Sequence, residues 1–333
     1  MPPPRCRQCP HPAALIRPRC GTPLCGPCFV TRFEAEFLLS LTPPPGSRIP
    51  APAPGSKVAV AASGGKDSTV LSHLLQRLAP RLRLRLALLA VDEGIAGYRE
   101  AALGAVRRNR GREPLLVLAH KEVFGWSVDE VGAVLGNGSR CTFCGVLRRQ
   151  ALERAARGMG ADCIATGHNA DDIAETLLMN FLRGDIARLR RTAPPSAPAQ
   201  PLPPVPRCKP LRHACEKEIV LYAHFRRLDY VSTECAHAHR AFRGHARALL
   251  KALEASRAAA VPALGHSGRR LVVTSPKGGG TSGDAGGHAP LRACARCGFG
   301  SSRALCMTCV LQGALGGGRP RVALGKRGLE EGP

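Results

Sequence analysis

The chain has 333 residues, 44% of them hydrophobic and 4% aromatic, with 48 Lys plus Arg against 24 Asp plus Glu. That length allows one large domain with appendages or two domains, and the net charge of +24 points to a polyanionic partner, RNA or DNA first. No apolar leader precedes the fifteen cysteines and no apolar run is long enough to cross a bilayer, which argues against a secreted disulfide scaffold or a membrane protein and for a reducing, cytoplasmic compartment where thiols serve metals or redox chemistry.

Taken in order, Cys6-x-x-Cys9 and Cys25-x-x-Cys28, with fifteen residues between the pairs, have the spacing of a four-thiolate zinc site, and Cys20 is left over. Two tight thiolate pairs can close one tetrahedron and hold an otherwise proline-rich segment in shape. This gives an N-terminal module over 1–42 with a short helix at 31–41, then a proline-rich connector over 43–55. A catalytic core is expected to begin at 56. Lys57-Val58-Ala59-Val60-Ala61-Ala62 reads as a buried strand, and the apolar spacing of Val70, Leu71, Leu74, Leu75 and Leu78 reads as a helix over 68–79.

Between strand and helix lies Ser63-Gly64-Gly65-Lys66-Asp67-Ser68. Glycine lets successive N–H groups converge, a helix N-terminus adds positive dipole, and the serines and Lys66 add donors, so the turn is suited to phosphate. It is not a Walker loop: Val60 stands where the first Gly belongs, and Asp67 follows the Lys. The run resembles the pyrophosphate loop of the N-type ATP pyrophosphatases, which cleave ATP between its α and β phosphates.

Further strands are expected at 84–91, 115–119 and 162–166, separated by helices at 97–109 and 144–158. Such alternation predicts an α/β fold, a parallel sheet with helices on both faces, with ligands beyond the carboxyl ends of the strands. The phosphate loop, Asp92-Glu93 and Gly167-His168-Asn169 would converge there. Asp171 and Asp172 suit a helix N-terminus for structural reasons, and beside a phosphate loop they could equally hold Mg²⁺ with phosphate oxygens. Asp92 and Glu93 could do the same or meet the nucleoside.

Cys141-x-x-Cys144 precedes a basic helix; by spacing alone it is half a zinc site, a redox pair or part of an iron–sulfur site. Cys163, Cys208 and Cys215 have no partner by spacing. A proline-rich insertion at 193–206 separates the core (56–192) from a helical part over 207–260. There Arg226, Arg227, Arg243 and Arg247 fit either nucleic-acid phosphate contacts or a solvated face. A glycine-rich linker is expected over 261–290. Cys294-x-x-Cys297 and Cys306-x-x-Cys309, eight residues apart, form a second compact four-cysteine site over 291–312. A basic tail follows over 313–333.

Ser63-Gly64-Gly65-Lys66-Asp67-Ser68, Cys141-Thr142-Phe143-Cys144-Gly145 and Gly167-His168-Asn169-x-Asp171-Asp172 occur in that order. With cysteine-pair modules at both ends, the chain resembles the catalytic subunits of the eukaryotic cytoplasmic tRNA 2-thiolation complex, within the PP-loop superfamily. The resemblance implies an adenine nucleotide alpha hydrolase-like fold flanked by small zinc modules. It also implies ATP-dependent 2-thiolation of wobble uridine 34 in the tRNAs for Lys, Glu and Gln, through adenylation of the 2-oxo group. ATP and Mg²⁺ would be held by Ser63, Gly64, Gly65, Lys66, Asp67, Ser68, Asp92, Gly167, His168 and Asp171. Cys141, Cys144, Lys66 and Asp172 would be catalytic. The resemblance adds Cys235 as a third sulfur-site cysteine; the trio would hold a [4Fe–4S] cluster or carry persulfide. Where some relatives carry lysine this chain has Arg148, for which phosphate contact is the expectation. Implied partners are the tRNA anticodon arm, a second subunit and a ubiquitin-related sulfur donor. The competing readings are another PP-loop ligase or amidotransferase, which would need no cysteine trio, and a zinc-containing tRNA-binding subunit with a vestigial nucleotide site.

Overall fold

The computed structural model describes residues 4–43, 50–136, 140–190, 204–233, 235, 242–271 and 292–316. Its centre is a five-stranded sheet of β3 (Lys57–Ala61), β4 (Arg85–Asp92), β5 (Leu115–Ala119), β6 (Cys163–Ala165) and β7 (Arg207–Cys208). All strands run parallel, in the order β5-β4-β3-β6-β7. Strand order reverses between β3 and β6, because the chain first winds out through β4 and β5 and then returns to the other side of β3. A crevice opens at that switch point, above the carboxyl ends of the two strands.

The pleat sorts the core into two layers. Val58 and Val60 of β3 face the helix α2 (Lys66–Leu82), with Leu71, Leu74 and Leu75 fully buried against them. Ala59, one residue out of phase, faces the opposite layer, where Leu152, Ala155 and Ala156 of α6 (Arg140–Gly158) cover the sheet. Between β4 and α6 lie α3 (Arg99–Asn109), α4 (His120–Phe124) and α5 (Val128–Leu135). After β6 come α7 (Ala170–Leu182) and α8 (Ile186–Arg190). The chain then adds α9 (Glu216–Phe225), α10 (Phe242–Ser256) and α11 (Ala260–Arg270).

Several sequence boundaries shift. The region 261–290 read as a glycine-rich linker starts as helix α11, where Val261 packs with Ala170 and Ala174 of α7. Its apolar spacing was outweighed by Gly265 and Gly268; Gly268 is there because a Cβ would lie 2.6 Å from the Leu177 side chain. The strand β7, only two residues long, was hidden behind the proline-rich insertion. Of the insertion expected at 193–206 only 204–206 lie within the described residues, and the glycine-rich run at 278–287 lies outside them.

At the N-terminus, β1 (Leu15–Ile16) and β2 (Pro23–Leu24) form an antiparallel pair before α1 (Gly26–Leu41). Phe29, Phe33 and Phe37 line one face of α1 and are buried, and the Phe33 ring stacks on Tyr222 of α9 with centroids 4.8 Å apart. The N-terminal segment therefore shares the core of the central domain rather than hanging from it. Arg17, 1% exposed, locks the joint: its Nε donates to Glu218 of α9 at 2.6 Å, and its Nη atoms donate to both oxygens of Glu36. Glu218 is fully buried. Arg17→Ala would leave that carboxylate only the more distant Arg19, at 3.7 Å, and is expected to lower stability in denaturant unfolding by about 3 kcal/mol. Arg17→Met with Glu218→Leu, which removes both charges, should recover most of the loss.

At the other end, β8 (Arg292–Ala293) and β9 (Gly300–Ser301) form a knuckle that leads into α12 (Met307–Gly316). The C-terminal module thus runs four residues past its expected end at 312, to the limit of a helix that the tail's glycines conceal. Among the described residues no helix is long and apolar enough to cross a membrane.

Candidate active site

The turn between β3 and α2 is self-organised. The Ser68 hydroxyl accepts from the Ser63 N–H at 3.1 Å, meets the Ser63 hydroxyl at 3.0 Å and donates to the Gly65 carbonyl. Gly64 has φ +78°, and a Cβ there would lie 2.3 Å from the Ala102 carbonyl oxygen, so no other residue fits. The N-terminus of α2 opens onto the crevice, as expected for a phosphate cradle. Lys66 lies between two carboxylates, 2.8 Å from Glu216 Oε1 and 3.4 Å from Asp67 Oδ2. Burial alone would lower its pKa, but Asp67 and Glu216 outweigh that and hold it above the usual lysine value.

The loop after β6 closes the other side. Gly167 packs on the phosphate loop so closely that a Cβ would stand 3.0–3.2 Å from the Asp67 and Ser68 backbone. Asn169 caps α7 and donates from Nδ2 to Asp67 Oδ1 at 3.0 Å. Asp172 completes the capping box through Oδ2 and pairs with Arg243 through Oδ1 at 3.2 Å. Asp171 accepts the Glu216 N–H at 2.7 Å. Burial pushes the Asp171 carboxyl up to about 6, with Glu216 and Glu254 adding to it. Burial likewise raises Asp67 against the pull of Lys66 and Asn169. Two carboxylates whose charge is disfavoured beside a phosphate loop suit a divalent cation arriving with its phosphates. They form no ready-made cage, since the only groups of three or more potential ligands among the described residues are two cysteine quartets. His168 meets the Thr166 hydroxyl at 2.9 Å. Its ring reaches solvent, yet the protein around it displaces water and keeps its pKa below the usual histidine value.

Asp92 ends β4. It accepts the Gly94 N–H at 2.9 Å and pairs with Arg99 at 3.0 Å, so its immediate task is to hold the β4 turn. Glu93 meets Arg148 of α6 at 2.7 Å, and Arg148 also donates to Cys144 Sγ at 3.3 Å. Arg148 therefore ties Cys144 to the sheet edge, a contact that its reading as a phosphate ligand did not anticipate. Cys141 and Cys144 lie on the first turn of α6. Burial pushes the Cys144 thiol up to about 11, with Arg148 opposing and Glu93 and Cys235 adding to the push. Cys235 is electrostatically coupled to Cys141, Cys144 and Tyr98. The three sulfurs do not all lie within 4.8 Å of one another, as the quartets do.

The segment before Cys235 touches the phosphate loop. The Val231 N–H donates to the Gly64 carbonyl at 2.9 Å, and Gly65 and Val231 form a parallel bridge. Cys235 follows Val231 by four residues. Cys6, Cys9, Cys25 and Cys28 form one quartet and Cys294, Cys297, Cys306 and Cys309 the other, each with ligand atoms within 4.8 Å. Backbone donors support both, with Gln8 N–H 3.5 Å from Cys6 Sγ and Cys306 N–H 3.2 Å from Cys294 Sγ. Four converging thiols with such donors suit a thiophilic metal ion.

Of the arginines expected to contact tRNA, three are engaged internally: Arg226 with Glu34, Arg243 with Asp172 and Glu175, Arg247 with Glu175. Arg227 is exposed. A different set of cations lies close together. Arg207 donates to the Arg149 carbonyl at 2.9 Å, and among the described residues no carboxylate lies within ion-pair reach of Arg149 or Lys209. Burial and the charges of Arg207, Arg188 and Arg148 press the Arg149 guanidinium down. Cys163 and Cys208, without partners by spacing, are buried neighbours on β6 and β7 whose thiols interact. Glu216 was missed as a site residue; it lies 150 positions from Lys66, and nothing local marks it.

A nucleotide loop at the switch point of a parallel sheet, with a cysteine trio at the same edge, defines an ATP pyrophosphatase-type fold and site. A family model described as a PP-loop domain matches residues 46–253. The chain is 54% identical to cytoplasmic tRNA 2-thiolation protein 1 of Bos taurus over 100% of this chain and 95% of that protein. The Danio rerio protein of that name is 46% identical over 97% and 92%. The U34-tRNA thiolase NcsA of Methanococcus maripaludis, solved with its [4Fe-4S] cluster, superposes with a TM-score of 0.76 at 26% identity, over 95% of this chain and 97% of that one. The chain belongs to the cytoplasmic tRNA 2-thiolation protein 1 family.

Proposed function

We propose that the chain thiolates position 2 of wobble uridine 34 in cytoplasmic tRNA, using ATP bound on the loop between β3 and α2. The observation that carries this is the hydrogen bond from Val231 to Gly64, which joins the nucleotide loop to the segment bearing Cys235. Adenylation and sulfur transfer must act on one base in turn, and here both sets of groups share one edge of the sheet. The 2-oxo oxygen attacks the α-phosphorus and pyrophosphate leaves. Lys66 and the loop N–H groups meet the charge that develops on the leaving phosphates. Sulfur then adds at C2, and AMP departs with the former oxo oxygen. The tRNAs for Lys, Glu and Gln are the proposed set.

Asp67 and Asp171 are the proposed Mg²⁺ contacts; Asp172, which completes the α7 capping box and pairs with Arg243, positions the loop. Ser63, Gly64, Gly65, Ser68, Gly167 and His168 line the nucleotide, and Asp92 closes its far side. Cys141, Cys144 and Cys235 are the proposed holders of a [4Fe–4S] cluster, which would supply an iron free to carry sulfide. The cluster in the similar archaeal thiolase supports this over a persulfide pair. The two quartets are proposed zinc sites. A second subunit and a ubiquitin-related sulfur donor are the proposed partners. Uridine 34 is unpaired in the anticodon loop, so little unstacking is needed. The test is to follow tRNA-dependent pyrophosphate release and 2-thiouridine formation in one reaction. Pyrophosphate release that ignores tRNA would refute the proposal.

Arg149 and Lys209 are the proposed contacts for the phosphates flanking the target base. Arg149→Ala with Lys209→Ala is expected to weaken tRNA binding and to flatten its log–log salt slope by about 1.4, the value for two single-strand phosphates. ATP affinity should not change. Arg226→Ala, whose cation already faces Glu34, should leave the slope alone.

A further inference from the structure

The C-terminal cysteine module packs against one place in particular, the helix that begins with Cys141 and Cys144. Phe143 lies between those two cysteines and is 2% exposed. Its ring is buried against Leu311 and Leu315 of α12, beside Val131 and Trp126. Two of the four module cysteines, Cys306 and Cys309, flank or begin α12. Two turns further along α6, buried Gln150 aims its amide into the module, with Nε2 3.7 Å from Cys306 Sγ and 3.9 Å from Cys297 Sγ. Gln312 of α12 donates to the Phe124 carbonyl at 2.9 Å and fastens the module to α4.

We propose that this module is the backstop of the sulfur site, with Phe143 and Gln150 as the positioning residues that carry its state of metallation to Cys141 and Cys144. The inference rests on the reading of those cysteines as the sulfur site. Its physical basis is the size of the module. A two-residue strand pair and one short helix bury too little to fold unaided, so the metal must hold the start of α12. Four thiolates that close repel one another unless a cation stands between them. Without it α12 loses its anchor, Phe143 loses its socket, and the first turn of α6 is free to fray. Gln150 adds an outer contact: amide N–H groups directed at ligand sulfurs tune a metal site and are costly to remove. The nucleotide loop leads into α2, which covers the opposite face of the sheet from α6, and should not feel the change.

The test uses the full chain, purified anaerobically, as Cys306→Ser, Phe143→Ala and the near-isosteric Gln150→Leu. Zinc and iron per chain, amide exchange along α6 and α2, alkylation of Cys141 and Cys144, tRNA-dependent pyrophosphate release and 2-thiouridine formation would each be measured. Gln150→Leu is expected to weaken zinc retention about tenfold against a chelator. Cys306→Ser and Phe143→Ala should speed exchange in 140–147 by about tenfold or more, a local opening that leaves α2 protected. Alkylation of Cys141 and Cys144 should rise with it, and thiolation should fall while pyrophosphate release holds.

Unchanged exchange in 140–147 after zinc loss would overturn the proposal. So would a parallel fall of pyrophosphate release and thiolation with α6 still protected, which would make the module a tRNA-binding element instead. Phe143→Leu, a milder change, keeps the question open to decision if Phe143→Ala fails to fold. The exchange and alkylation readouts do not depend on the chemistry at Cys144. If Cys144→Ala were to leave thiolation intact, the sulfur-site reading would fail while the brace could still be scored.

Discussion

Lys66→Ala is expected to reduce tRNA-dependent pyrophosphate release at least about a hundredfold, the usual effect of removing one preorganised donor from a developing charge. The loop around Lys66 would survive the substitution, because Ser63, Ser68 and the Gly65 carbonyl hold it through bonds that do not involve the lysine. Two carboxylates, Asp67 and Glu216, would lose their cation. That provides a structural rival for any loss of activity: like charges left facing the nucleotide phosphates. Lys66→Ala with Glu216→Gln separates the two. If stranded charge were the cause, removing Glu216's charge would restore activity. If Lys66 acts on the phosphates, the double variant stays as slow as the single one. Glu216→Gln alone leaves Lys66 one partner, Asp67, and should keep adenylation.

Cys144→Ala should give the opposite pattern. Pyrophosphate release should stay within about twofold, since no loop contact involves Cys144, whereas 2-thiouridine formation should fall at least about a hundredfold. Loss of a group one shell outside a metal typically costs about 10–100-fold, so loss of a direct ligand should reach the upper end or beyond. Arg148 would keep its 2.7 Å pairing with Glu93, so the end of β4 and the first turns of α6 should remain joined. A fall in both activities would make Cys144 a structural residue. Undiminished thiolation would move the sulfur site elsewhere. Iron content, measured on the same samples, would show whether the loss of sulfur transfer follows the loss of a cluster.

The parts of this protein that were legible in the chain are those whose physics is local. A glycine-rich turn between a β-branched run and an amphipathic helix announces a phosphate loop by itself, and its helix starts within two residues of the expected place. Paired C-x-x-C spacings announced both quartets, because four thiolates must come from short, closely spaced knuckles. Strand alternation gave the parallel sheet. Other features needed distant contacts. Glycines at 265 and 268 masked α11, although Gly268 serves close packing on Leu177. Arg226, Arg243 and Arg247 read as solvent-facing cations, yet acids far along the chain had already claimed them. Arg149 and Lys209, not picked out as tRNA contacts in the sequence, have no carboxylate within ion-pair reach among the described residues.

By itself, then, the sequence determined the nucleotide loop, the two thiolate quartets, the alternation that makes the central sheet parallel, and the family. Each is set by residue type and spacing within one short stretch. Only the tertiary structure decided that Glu216 faces Lys66, that Val231 joins the segment of Cys235 to Gly64, and that Phe143 is seated in the C-terminal module. The physical reason is the topology. A sheet that reverses its order at β3 and β6 brings loops from opposite ends of the chain to one edge, and pairings made across such distances leave no periodicity for a sequence to show.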